Sequence, residues 1–238
     1  MFFRPWLLIQ RIKKVVYMNK WDYNIIFNVD IETKTGLHIG GSNEELKIGG
    51  TDNPVITTKY NYNGEFLEVP YIPGSSIKGK MRSLLMAVLP PGDEEIINKL
   101  FGYPQDNNEQ IDKRTRLIIR DAFPRLEDIK KYKDNKLEFI EIKGENKIDA
   151  FTSEATPRFI ERVLPGIHFI TNIIIMKYEN DNINDMRRIL NEGINLLQDS
   201  YLGGNGTRGY GVISIKMEEE QTRDRSYYEG NKNASIQN

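Results

Sequence analysis

Residues 167–178, IHFITNIIIMKY, carry large apolar side chains at both parities of an extended chain. Ile167, Phe169, Ile173 and Ile175 fall on one face, and Ile170, Ile174 and Met176 on the other. Such a segment fits the middle of a sheet, and two apolar faces predict cover on both sides. A sheet packed on one side would bury only one of them. A central strand needs neighbours. Residues 23–33 alternate, with Ile25, Phe27, Val29 and Ile31 apolar and Asn28, Asp30 and Glu32 between them, so they read as a half-buried strand. Residues 115–121, TRLIIRD, and Val212–Met217 supply two more strands.

Helical spacing separates these strands. Ile77, Met81, Leu84, Leu85 and Val88 form one stripe over residues 75–89, with Ser75 or Ser76 as cap and Pro90-Pro91-Gly92 as stop. A shorter helix spans Asp93–Phe101. A third spans 182–199, opened by Asp181 or Asn182, with Met186, Ile189, Leu190 and Leu197 apolar. The order is strand, helix, strand, strand, helix, strand. That predicts an α+β chain with a ferredoxin-like (RRM-like) βαββαβ core. RNA-recognition modules use this plan. Their short aromatic sheet motifs are absent here, so the fold alone assigns no function. Residues 57–69 read as a local hairpin. Residues 124–165 are charged and irregular, with strand-like pieces at Phe139–Ile142 and Ile148–Phe151. They read as an insertion, too poor in apolar residues for a core of their own.

The chain has 238 residues, no cysteine and two histidines, His38 and His168. Disulfides, thiolate metal sites and cysteine nucleophiles are therefore excluded, and a His-rich zinc site with them. The formal net charge is −1, so any nucleic-acid role must come from a local patch. No uncharged apolar run reaches the ~18 residues of a membrane span. Residues 1–18 are apolar and basic, but Arg11, Lys13 and Lys14 break the run expected of a signal peptide. They read as an extension, and residues 218–238 as a polar, frayed tail.

Three motifs invite chemistry. Gly74–Lys80, GSSIKGK, has the spacing of a phosphate loop, yet Met81 stands where Ser or Thr would hold magnesium, and Pro70 and Pro73 flank the segment. What remains is a helix start, whose backbone N–H groups attract phosphate. Lys78 and Arg82 share one flank of the helix and Lys80 lies on the other. A phosphate-binding flank and a solvated basic face both fit. Gly204–Gly209, GNGTRG, has the glycine spacing of a dinucleotide fold, but it follows a helix and precedes a strand, the reverse of that fold. It reads either as a flexible turn or as a phosphate cradle completed by Arg208. The loop 36–54 carries His38, Glu44, Glu45 and Asp52, without metal-ligand or acid–base spacing. Asp52 before Asn53-Pro54 fits a turn cap.

Six stretches in order carry a resemblance: TGLHIGG at 35–41, GGTDNPVI at 49–56, YIPGSSIKGKMRSLL at 71–85, LIIRDAF at 117–123, ENKIDAFTSEATPRFIERV at 145–163 and YLGGNGTRGYG at 201–211. Together they resemble the backbone RAMP subunits of type III-A CRISPR effector complexes, the Csm backbone family. The resemblance implies one RAMP domain over 19–217, with insertions at about 36–73 and 124–165. It implies a cytoplasmic subunit, remote from membranes, that stacks with other copies of itself along a CRISPR RNA. Complementary target RNA and the other Csm subunits, including the large polymerase-like one, are its further partners. It makes residues 139–165 a β-hairpin thumb pushed between bases, with Arg158 and Arg162 on the RNA. It places His38, Lys78, Lys80, Arg82, Gly204, Gly206 and Arg208 near the guide.

In that family an Asp in the loop after the first strand is required for cutting target RNA, and Asp52 takes its place. RNA supplies its own nucleophile, the 2′-hydroxyl, and alignment with the adjacent phosphate removes much of the barrier. Asp52 would take the proton, or help hold a divalent metal, Mg or Mn, recruited with the RNA. A cyclic phosphate and a 5′-hydroxyl are the expected products. Two alternatives remain at this point. One is an RNA-binding structural subunit that cuts nothing. The other is a stand-alone RAMP endoribonuclease that processes precursor CRISPR RNA with His38 or His168.

Overall fold

The computed structural model describes residues 20–41, 54–104, 113–148, 153 and 155–230. Strand β1 (Trp21–Thr33) is long because its alternation never lapses: Ile25, Phe27, Val29 and Ile31 are all buried. It pairs antiparallel with β8 (His168–Tyr178) on one side and β9 (Ile213–Asp224) on the other. The short β4 (Leu117–Ile119) and β5 (Phe123–Pro124) add to the far edge of β8, so the sheet runs β4-β8-β1-β9.

Helices α1 (Gly74–Val88), α2 (Glu94–Phe101) and α4 (Ile183–Asp199) pack on the face formed by the odd residues of β1 and β8. Ile77, Met81 and Leu85 of α1 meet Met186, Ile189, Leu190 and Leu197 of α4 in one core with Phe169, Ile173 and Ile175. Each such aliphatic side chain contributes about 1.5–3 kcal/mol on burial. Gly193 lets the two helices close, since a Cβ there would lie 2.9 Å from the Met81 Cε.

The double cover expected for residues 167–178 is corrected. The strand is central, but its other face is covered only in part: Ile174 is buried and Met176 half-buried, while Ile170, like Ile118 of the adjoining β4, is 41% exposed. Among the described residues the strands of this sheet are antiparallel and the three core helices share one face, leaving the second without a crossover layer. Among the described residues no helix is long and apolar enough to cross a membrane.

The insertions hold more order than their composition suggests. The first holds the hairpin β2 (Thr57–Tyr62) and β3 (Glu65–Pro70). The second opens with a helix, α3 (Leu126–Asp134), where irregular chain was expected. Its acids Glu127 and Asp128 open it and Lys131 and Lys133 close it, which suits the helix dipole. There follows one continuous ribbon, β6 (Ile140–Ile148) against β7 (Ala155–Val163), in place of two separate strand-like pieces. At the other end, β9 outruns the expected Met217 to reach Asp224, and α5 (Arg225–Tyr228) follows. Pairing with Tyr23–Asn28 satisfies the backbone there whatever the side chains are.

Candidate nucleic-acid interface

The base of the β6–β7 hairpin, residues 36–41, residues 54–56 and the turn 201–211 meet at one place. Leu37 and Val163 exchange backbone hydrogen bonds at 3.0 and 2.7 Å. Gly41 donates to the Pro54 carbonyl at 3.1 Å and Ile56 to Ile39 at 2.9 Å. Val55 donates its N–H to Glu161 Oε2 on β7 at 2.9 Å. His38 is buried here, with Nδ1 2.8 Å from the Glu161 carbonyl. A carbonyl only accepts, so Nδ1 carries a proton and donates to it.

The glycine turn closes on His38. Gly204 donates to the His38 carbonyl at 2.8 Å. Gly203, at φ +76°, would put a Cβ 2.2 Å from that oxygen, so no other residue fits without displacing the backbone. Gly206 opens a tight turn through Arg208 over the Tyr201 ring, whose other neighbour is Lys80, with Nζ 3.6 Å from the ring centroid. Arg208 is half exposed and lies 3.4 Å from Glu145 Oε2. Arg162 bonds Glu141 Oε1 at 2.7 Å and stands over the Tyr210 ring. Arg158, exposed on β7, faces Glu145 across the ribbon.

His38, Lys80, Arg158, Arg162, Gly204, Gly206 and Arg208 thus gather around the hairpin base. The other flank of α1 does not join them. Lys78 donates to the Leu117 carbonyl of β4 at 3.0 Å, and its burial pulls its pKa below the ordinary lysine value, with Arg82 adding to the shift. Arg82 donates to Asn98 Oδ1 of α2 at 3.0 Å. The helix start is also taken. Asp121 Oδ1 accepts the Gly74 N–H at 2.8 Å, where Ser75 or Ser76 was expected to cap, and Pro73 is the N-cap residue. A carboxylate suits that positive end as a phosphate would. A Cβ at Gly74 would lie 2.1 Å from the Ile119 carbonyl oxygen, so α1 abuts the end of β4. His168 lies elsewhere, on the helix-free sheet face, 2.9 Å from Asp30.

Asp52 lies outside the described residues. Among the described residues no three His, Asp or Glu side chains come together as metal ligands.

Sequence reasoning missed Glu145, Tyr210, Lys143 and Glu161. Tyr210 is wholly buried and donates its hydroxyl to Glu145 Oε1 at 2.7 Å, and Lys143 Nζ is 3.0 Å from the same oxygen. These two contacts, the hydroxyl first, hold the Glu145 carboxyl below the usual carboxylate range. The alternation Lys143, Glu145, Lys147 was the available signal for a charged ribbon face.

A single α/β sheet with one helical layer, a projecting ribbon and a glycine turn beside it places the chain in a family. It belongs to the RAMP superfamily, whose family model matches residues 30–214. Within that superfamily its similarity runs to Csm3. The CRISPR system Cms endoribonuclease Csm3 of Methanothermobacter thermautotrophicus is 40% identical over 232 residues, covering 89% of this chain and 91% of that one. The Streptococcus thermophilus Csm3 is 39% identical over 207 residues, covering 81% and 87%. Among solved structures, the Csm3–Csm4 subcomplex of the type III-A CRISPR-Cas interference complex aligns with a TM-score of 0.52 at 26% identity, over 90% of this chain and 87% of that one. A type III-B Cmr-beta complex bound to cognate target RNA aligns at 0.57 with 20% identity. That likeness is one of fold, over 85% of this chain and 61% of that one.

Proposed function

We propose that this chain is a guide-binding backbone subunit of a type III-A CRISPR interference complex that cuts complementary target RNA. The observation that carries the reading is the convergence just described: cationic side chains, an open glycine turn and a projecting ribbon meet where the loop carrying Asp52 is anchored. Gly41 and Pro54 bond across the base of that loop, and Val55 is tied to the ribbon by Glu161. Relatives at 39–40% identity carry the name endoribonuclease Csm3. The strand order β4-β8-β1-β9, antiparallel throughout with helices on one face, supports a ferredoxin-like βαββαβ core.

On this reading Lys80, Arg158 and Arg208 bind guide phosphates, the glycine turn lets the backbone approach them, and His38 sets the turn. Guide–target pairing supplies sequence recognition. The β6–β7 ribbon enters the duplex and turns a target nucleotide so that its 2′-hydroxyl faces the next phosphate. Asp52 then takes the hydroxyl proton as the oxygen attacks phosphorus and the 5′-oxygen leaves with a proton from water, giving a cyclic phosphate and a 5′-hydroxyl. A divalent Mg or Mn recruited with the RNA would be held by its phosphate oxygens and Asp52, and would neutralise charge on the phosphate. Partners are the guide, the target, further copies of this chain and the other Csm subunits including the large polymerase-like one, in the cytoplasm.

The test is Asp52→Ala in the assembled complex. The expected result is cutting lowered by about a hundredfold or more, with guide and target binding unchanged. Cutting at the wild-type rate would remove Asp52 from the mechanism and leave an RNA-binding structural subunit.

A further inference from the structure

The β6–β7 hairpin leaves the core with Ala155–Phe159 exposed at every side chain. A two-stranded ribbon has little rigidity of its own, so its direction depends on what grips its base. β7 is gripped by backbone pairing at Leu37–Val163. β6 is gripped further out, through a side chain. Glu145, five residues beyond the start of the strand, reaches the turn 201–211 and accepts the Tyr210 hydroxyl at 2.7 Å. Tyr210 itself is wholly buried, and a buried phenol requires a partner for its hydroxyl. Lys143, 3.0 Å from the same carboxylate oxygen, stands over the phenol ring at 4.7 Å. The link therefore joins a wholly buried residue of the turn 201–211 to a residue on the ribbon.

We infer that Tyr210 and Glu145 form a latch that fixes the angle at which the β6–β7 hairpin leaves the core, so that both are positioning residues for target cutting. The inference rests on the proposal that this hairpin is the element entering the guide–target duplex. Neither residue has to touch the scissile phosphate. A small tilt at the base becomes a larger displacement at the tip, and misplacement of that kind slows a reaction that depends on alignment.

The experiment uses the full chain assembled on guide RNA, with Tyr210→Phe, Glu145→Ala, Glu145→Gln, the Tyr210→Phe/Glu145→Ala pair and Asp52→Ala. Three readouts are taken: guide retained, single-turnover cutting of saturating target, and amide exchange of the hairpin and of β8. Tyr210→Phe removes one oxygen and Glu145→Gln keeps an acceptor. Tyr210→Phe and Glu145→Ala are expected to retain guide and cut about tenfold more slowly. Hairpin amides should exchange faster while those of β8 stay unchanged. Glu145→Gln should stay within about twofold of wild type. The pair should cut no more slowly than Glu145→Ala alone, because both changes break one link. Should Glu145→Ala fail to assemble, Tyr210→Phe against wild type decides. Wild-type cutting and exchange in Tyr210→Phe, or losses that multiply in the pair, would overturn the latch. Cutting by Asp52→Ala would instead sink the proposed mechanism, while the exchange readout still judges the latch.

Discussion

Arg116 is the residue whose chemistry departs most from its surroundings. It is fully buried, with Nε 2.9 Å from Asp181 Oδ2, its guanidinium 4.4 Å from the centre of the Tyr178 ring, and Asp181 also accepting the Tyr178 N–H at 3.1 Å. The pair links the strand end of β8 to the chain just before β4. Removing one partner leaves a desolvated charge, at a cost of about 3–5 kcal/mol. Arg116→Ala is therefore expected to lower the urea midpoint sharply, and the Arg116→Met/Asp181→Asn double change, which keeps an acceptor for the Tyr178 N–H, to recover most of the loss. Equal loss in the double change would show that the pair stabilises in its own right. Nothing in TRLIIRD announced this, because an Arg at a strand start reads as exposed until a carboxylate arrives from 65 residues away.

At the scale of elements, what was legible followed from period. The alternation in 23–33 and the helical stripes at 75–89 and 182–199 each became the element they predicted, because apolar spacing fixes both the type of element and its buried face, although Val88 at the end of the first stripe is 60% exposed. What was not legible depended on neighbours. The three basic residues of α1 looked alike, yet tertiary contacts divide them: Lys78 turns to β4 and Arg82 to α2, while Lys80 stands at the glycine turn. The Gly74 N–H goes to Asp121, and no local pattern points to a cap 47 residues away. Lys78→Met is therefore expected to leave guide affinity within about twofold of wild type, since the lost group bonds a carbonyl rather than RNA. Its pH signature has a definite sign. Burial lowers the folded Lys78 pKa, so between that value and the ordinary lysine value the unfolded chain binds more protons, and Lys78 adds stability as pH rises. The wild-type chain should gain on Lys78→Met across that window in paired denaturation curves. Parallel curves would mean that Lys78 is not desolvated in the folded chain.

For the molecule as a whole, the balance of 33 basic against 34 acidic side chains leaves no global attraction for RNA. Binding must then come from how the charges are distributed. Around the hairpin base Arg158 is exposed and Arg208 half exposed, whereas Lys216, 77% exposed on the helix-free sheet face, is paired with Glu218. Each phosphate neutralised on a single strand contributes about 0.7 to the slope of log affinity against log salt. Arg158→Ala should therefore flatten that slope by about 0.7 for guide RNA, with Lys80→Ala behaving likewise. Lys216→Ala should leave it unchanged. Titrations of the purified chain with guide RNA at four or five salt concentrations measure all three. If Lys216→Ala flattened the slope as much as Arg158→Ala, the attraction would belong to the whole surface and the hairpin base would lose its claim to the guide. A slope altered only by the residues at that base would instead mean that the guide phosphates are neutralised along one cationic track. Such an arrangement suits a filament subunit, because it confines RNA to a single path.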